Sequence, residues 1–240
     1  MSEGEKDDVF AFNPHAAVNS IRAGKCPIAV TVADNVLLRP QQLADFGLGL
    51  KFGEDDSNLY PGIRARLPAE FSRPFNAWLT HALRCTGILE ESSSVHEDAS
   101  FLSIVNKNRA NLLPLQRIPH YDSTDPRVFA AVIYLFDRAN SGTSFYRHRT
   151  TGYEQIGDDN KDNYKISLNR DMKHHGPPAK EYTNGSNVLF ERTLSVDSVF
   201  NRIVIYSGKV LHAADIDGSL FAGDDNGQWR LTISSLVTTA

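Results

Sequence analysis

The sequence predicts a mainly β protein of the α+β class, a sandwich or jelly roll with helices over one face. Three observations lead there. Short β-rich runs separated by turn residues fill the chain from Phe101 onward. Helical patterning is confined to the stretch from about Pro40 to Leu89. No internal repeat and no Pro/Ser-rich linker divides the 240 residues, which therefore read as one domain.

Within residues 1–240, residues 1–10 read as a flexible tail. Residues 11–100 read as mostly helical support, and residues 101–240 as the β core with a polar insertion at about 152–185. One helix is expected to begin near Pro40, since proline is tolerated in a first turn. A second is expected over Arg73–Leu83, where Phe75, Trp78, Leu79 and Leu83 fall on one stripe and Ser72 is placed to cap it. Tyr60-Pro-Gly between them reads as a turn, followed by the basic residues Arg64 and Arg66. The expected strands are Phe101–Val105, Leu112–Ile118, Phe129–Phe136, Asn187–Thr193, Arg202–Tyr206 and Trp229–Val237. The stretch from Gly152 to Gly185, with its Gly157–Asn163 run and His174-His-Gly-Pro-Pro178, is polar and weakly patterned. It reads as a lid or a surface insertion.

Composition narrows the function classes. Hydrophobic residues make up 41% and charged residues 22%, as in an ordinary globular chain. The formal charge of −4 leaves no basic excess for phosphates, so no nucleic-acid partner is expected. No apolar run approaches the ~20 residues of a membrane helix, and the charged start, Met1–Asp8, lacks a signal-like apolar region. The expectation is a cytoplasmic protein with no membrane partner, its two cysteines, Cys26 and Cys85, reduced.

Three features carry chemistry together. In His120-Tyr121-Asp122, residues i and i+2 of an extended backbone project to one side and can present an imidazole and a carboxylate to one ion. His212 lies near the end of a later strand. Two histidines and a carboxylate on one face of a metal form the facial triad of non-haem Fe(II) oxygenases. Arg230 and Thr232 alternate onto one face of the last strand, where a guanidinium fork and a hydroxyl can hold a carboxylate. Taken singly, His120 reads as a turn histidine, His212 as a half-buried structural one and Arg230 as a solvated strand residue. Their order along the chain is what joins them.

Further motifs point the same way. Val132-Ile-Tyr-Leu135, Ser141-Gly-Thr-Ser-Phe145 and Ser207-Gly-Lys-Val-Leu-His212 match three strands of a known superfamily. Over about Leu112–Val237 the sequence resembles the 2-oxoglutarate- and Fe(II)-dependent oxygenases, in the prolyl 4-hydroxylase-like branch, and an uncharacterised bacterial family within that superfamily. The resemblance implies a double-stranded β-helix (jelly roll) core flanked by N-terminal helices. It implies Fe(II) on His120, Asp122 and His212. It implies 2-oxoglutarate as cosubstrate, its far carboxylate on Arg230, with hydrogen bonds from Thr232 and Tyr134; Arg202 and Lys209 are the alternative cations. An intact Asp122 implies hydroxylation, or a related oxidation, of an unidentified small-molecule or peptide substrate, with succinate and CO₂ as coproducts. The spacing from His212 to Arg230 is longer than the branch's pattern and reads as a loop inserted over Asp215–Gln228.

Other basic groups are candidates for an anionic substrate or a solvated face: Arg64, Arg66, and the Tyr146-Arg147-His148-Arg149 run. Competing classes are a cupin-like metalloenzyme without 2-oxoglutarate, a non-catalytic jelly-roll binding protein, and a zinc hydrolase on the same ligands. Arg230-x-Thr232 discriminates against the first, the complete triad against the second, and the lack of an H-E-x-x-H helix against the third.

Overall fold

The computed structural model describes residues 9–25, 28–54, 59–176, 178–216 and 229–240. Its strands are β1 (Val18–Ala23), β2 (Ile28–Asp34), β3 (Gly62–Arg66), β4 (Val95–Val105), β5 (Val128–Tyr134), β6 (Arg138–His148), β7 (Phe190–Ser198), β8 (Arg202–Ser207), β9 (His212–Ala214) and β10 (Leu231–Thr239). Its helices are α1 (Pro40–Leu48), α2 (Ser72–Cys85) and α3 (Lys161–His175). A seven-stranded sheet runs in the order β1-β2-β8-β5-β10-β4-β3, and a three-stranded sheet in the order β7-β6-β9. The strand pairs are antiparallel, and the chain is mainly β, as expected. Among the described residues no helix is long and apolar enough to cross a membrane.

The large sheet sorts its side chains by the period-2 rule. Ala131 and Ile133 of β5, Ile203 and Ile205 of β8 and Ile233 of β10 point to one face. There they pack with α1 and α2 in a single buried cluster. On α2, the residues Phe75, Trp78, Leu79, Ala82 and Leu83 are buried at the 3–4 residue spacing of one helical stripe. The alternate residues Ala130, Tyr134, Val204 and Tyr206 face the other way, against Phe145 and Val196 of the small sheet. The candidate site lies on this second face.

Several elements differ from the sequence reading, each for a local reason. Ser72 does not cap α2; the cap position is Phe71, and the Ser72 hydroxyl donates to Glu97. Residues 11–100 are not mostly helical, because β1, β2, β3 and most of β4 fall there. Residues 1–8 lie outside the described residues, but Val9 and Phe10 are core, with the Phe10 ring edge-on to Phe46 and Phe71. Leu112–Ile118 is a 3₁₀ turn over Pro114–Arg117 that leaves Leu113 and Leu115 exposed. The next strand starts at Phe190, because the Asn187 carboxamide accepts the N–H groups of Leu189 and Phe190 and makes a turn first. The 152–185 insertion contains α3, whose buried stripe is Tyr164, Ser167, Leu168 and Asp171. Half of that stripe is polar, which is why hydropathy hides the helix.

Phe75 is fully buried, between the rings of Phe71 at 5.0 Å and Phe12 at 5.6 Å. Phe75→Ala is expected to cost about 3–5 kcal/mol through lost burial and a residual cavity. The measurement is the denaturant midpoint, which falls at unchanged slope.

Candidate metal centre

The ligand segment is held by backbone pairing. The N–H of His120 donates to the His212 carbonyl at 2.9 Å, and the N–H of His212 returns the bond at 2.8 Å. Two residues on, the N–H of Asp122 donates to the Gly208 carbonyl at 2.8 Å. His120-Tyr121-Asp122 is thus laid antiparallel to the turn joining β8 to β9, and His120 and Asp122 share a side as the i, i+2 spacing requires. The two imidazole rings lie 4.4 Å apart. Asp122 Oδ1 is 3.8 Å from His120 Nε2, and Oδ2 is 3.6 Å from His212 Nε2. One ligand atom from each residue lies within 4.8 Å of the others, and this is the one such group of His, Cys, Asp or Glu among the described residues.

The protonation pattern suits a cation. The Val210 carbonyl accepts a hydrogen bond from His212 Nδ1 at 2.9 Å. A carbonyl cannot donate, so Nδ1 carries the proton and Nε2 presents its lone pair. His120 is held below the ordinary imidazole value by desolvation and by His212, against the opposing pull of Asp122. It is therefore neutral at neutral pH. The ring of Tyr121 meets Tyr164 of α3 edge-on at 6.2 Å, so the insertion braces the first ligand pair.

The three ligands open onto a cavity of about 420 Å³. Arg230 lies in its wall, 3% exposed. Its Nη2 donates to the Gly142 carbonyl at 3.0 Å and its Nε to the Ser141 carbonyl at 3.4 Å. Its guanidinium lies 5.6 Å from the Phe136 ring centroid. Among the described residues no carboxylate lies within ion-pair distance of it. Gly142 is required at this place, since a Cβ there would sit 1.8 Å from the Val196 carbonyl. Thr232 pairs with Ser103 and Tyr134 in the sheet and lines the same cavity.

The remaining sequence candidates divide clearly. Tyr134 is fully buried one layer behind the cavity lining, its hydroxyl 2.7 Å from Thr143 Oγ1; Thr143, not Tyr134, reaches the cavity. Arg64 lines the cavity, its guanidinium 4.1 Å from the Phe101 ring centroid; Arg66 is exposed. The Tyr146–Arg149 run does not line it. Arg147 pairs with Glu154 and Glu191, and His148 is buried with Nε2 3.4 Å from Asp171 Oδ2 on α3. Arg202 is committed to Asp34 at 2.6 Å, and Lys209 does not line the cavity, so Arg230, buried, and Arg64, held by Ser103 and Ser234, are the arginines of its wall. His174 and His175 end α3 with rings 4.6 Å apart. Cys85 is a free, exposed thiol. Cys26 and most of the Asp215–Gln228 stretch lie outside the described residues, although Asp215 itself is buried.

Sequence reasoning missed Tyr60 and Tyr206. Tyr60 lines the cavity; burial raises its phenol, against the pull of Arg230 and Arg64. Tyr206 lies under the His212 ring at 4.7 Å, and burial holds it protonated, well above the ordinary phenol value.

From residue 14 to residue 237 the sequence matches the model of a family of unknown function, DUF6445. The chain belongs to that family. No curated protein matches it. Among solved structures it is similar to AviO1 from Streptomyces viridochromogenes Tue57, at 15% identity over 79% of this chain and 72% of that one, with a TM-score of 0.42. It is also similar to EvdMO1, at 13% identity over 92% of this chain, with a TM-score of 0.48. The match spans 55% of EvdMO1's length.

Removing a ligand of the DUF6445 chain tests the centre directly. His212→Ala and Asp122→Ala are each expected to weaken Mn(II) binding beyond the roughly 10–100-fold that outer partners of a metal cost. Calorimetric titration reads this, with a thermal melt showing the fold intact.

Proposed function

We propose that this chain is an Fe(II)- and 2-oxoglutarate-dependent dioxygenase with a double-stranded β-helix core. The observation that carries the proposal is the pairing, in one cavity, of a His-Asp-His ligand set with a buried guanidinium that has no described counter-ion. The donor set fits Fe(II): two imidazole nitrogens and one carboxylate on one side, the other side open. The chain path supports the core. From β4 onward it visits the large sheet, the His120 segment, β5, β6, β7, β8, β9 and β10. It therefore alternates large, small, large, small, small, large, small, large.

The spacing supports a dicarboxylic oxo acid. His212 pairs with Phe145. The Gly142 carbonyl that holds Arg230 lies three residues along the same strand, roughly 10 Å at 3.3 Å per residue. Arg230 binds the far carboxylate in a fork, and Thr232 donates to it. Thr143 lies between the two ends on the small-sheet wall. When bound, Fe(II) with dioxygen and 2-oxoglutarate supplies an oxidative decarboxylation to succinate and CO₂ coupled to oxidation of a substrate C–H bond. Val132, Ile118, Leu115 and Tyr182 line the rest of the cavity, exclude water and leave space suited to a small molecule.

Anaerobic titration of the Fe(II)-loaded protein with 2-oxoglutarate is expected to raise a visible charge-transfer band that Asp122→Ala abolishes. Arg230→Ala is expected to weaken 2-oxoglutarate about 100-fold with Fe(II) affinity unchanged, since it removes a charge-assisted pair. Folded, iron-loaded wild type with no band would overturn the proposal.

A further inference from the structure

Two tyrosines on neighbouring strands face the interior between the sheets. Tyr134 of β5 pairs with Arg202 of β8, and Ala130 of β5 pairs with Tyr206. Both project to the same side. Their hydroxyls meet different surroundings. The Tyr134 hydroxyl is consumed by Thr143 and is absent from the cavity wall. Tyr206 is 3% exposed, forms part of that wall, and its hydroxyl has no hydrogen-bond partner among the described residues. Its ring is fixed on both sides, by Phe145 edge-on at 5.1 Å and by His212 at 4.7 Å. A hydroxyl in the cavity wall with no partner in the described fold is open to a ligand or a water.

We infer that Tyr206 is a ligand-binding residue of this cavity, its hydroxyl donating to the metal-side end of a bound 2-oxo acid. The inference rests on the proposed function and assigns to β8 a donor that the sequence reading placed on β5. The location follows from the contacts. The Tyr206 ring packs on His212 at 4.7 Å and lines the same cavity as Arg230. The ring therefore stands at the ligand-set end of the cavity. The chemistry follows from the group. A rigid, uncharged O–H is a directional donor to a carboxylate or keto oxygen, and its placement costs little when the ring is already packed. Selection is for an oxygen acceptor beside the metal, while Arg230 selects for the second carboxylate.

The test is calorimetric titration of Mn(II)-loaded protein with 2-oxoglutarate and with pyruvate, which lacks the far carboxylate. Tyr206→Phe deletes one oxygen and keeps the packed ring. It is expected to weaken both acids about 10- to 100-fold, with Mn(II) affinity and melting temperature as in wild type. Tyr134→Phe is expected to stay within about threefold of wild type for both acids. Equal binding by Tyr206→Phe and wild type overturns the inference and leaves the proposed function standing. Weakening confined to 2-oxoglutarate also overturns it, since the hydroxyl would then serve the Arg230 end. A parallel loss of Mn(II) affinity overturns it by making Tyr206 a packing support for His212. Failure of wild type to bind 2-oxoglutarate at all removes the proposed function and the inference with it.

Discussion

Each central strand of the large sheet has to satisfy two unlike surfaces at once. Ile133, Ile203 and Ile233 close a hydrocarbon core with α1 and α2. Their immediate neighbours Tyr134, Arg202 and Thr232 belong to the face that carries the site. A slip of one residue in any of these strands would exchange the two sets, sending hydroxyls into the helix interface and isoleucines into the cavity. The helices therefore do more than cover the sheet. By burying one face they fix which side chains the other face can offer. Asn201 guards the register at the entry to β8. It takes a left-handed φ of 65° in the turn after β7, and its carboxamide both donates to and accepts from the Leu37 backbone.

The ligand set depends on this arrangement through very few bonds. β9 is three residues long, and the His120 segment meets it in a single two-bond bridge. The rest of the support comes from outside the sheets. The Gly208 carbonyl takes the N–H groups of both Asp122 and Ser123. A Cβ at Gly208 would lie 3.1 Å from Val128, closer than most real contacts, so the turn stays tight against β5. On the outer side Tyr164 of α3 meets Tyr121, and the same Tyr164 ring meets His148 at the end of β6 edge-on at 5.4 Å. The insertion is a buttress of the ligand segment, and its final residues, Tyr182 and Thr183, form part of the cavity wall.

How much of this the sequence disclosed follows from how locally each feature is encoded. β5, β8 and β10 are β-branched, apolar and buried, so pattern alone finds them. The His120-x-Asp122 pair and Arg230-x-Thr232 are legible because i, i+2 on an extended backbone is a local rule. The edge strand β1 and the middle strand of the small sheet, β6, are harder. In β1 only Ala23 is buried, and β6 reads RANSGTSFYRH, with no apolar alternation. The small sheet satisfies the polar side chains of β6, as when Ser144 donates to Asp215 at 2.6 Å. The role of each tyrosine was the least legible of all. Whether a hydroxyl is consumed or free depends on Thr143, which arrives from the opposite sheet, and no local pattern of β5 or β8 encodes that.

Arg230 makes the same point in energetic terms. A guanidinium taken out of water needs compensation, and backbone carbonyls supply only part of it. The carbonyl of Gly142 accepts from both Arg230 and the N–H of Asp215, so a native carboxylate is close by in the chain. Asp215 does not close on the guanidinium. Its Oδ2 is held by Ser144 and Ser195, and burial pushes its carboxyl up from the ordinary range. The small sheet thereby holds the buried Asp215 carboxylate on Ser144 and Ser195. Had the two paired, the fork would be filled and its charge neutralised from within. Held apart, they leave the guanidinium without an ion-pair partner among the described residues, on the cavity wall it shares with His212, whose partner Phe145 lies three residues along β6 from Gly142.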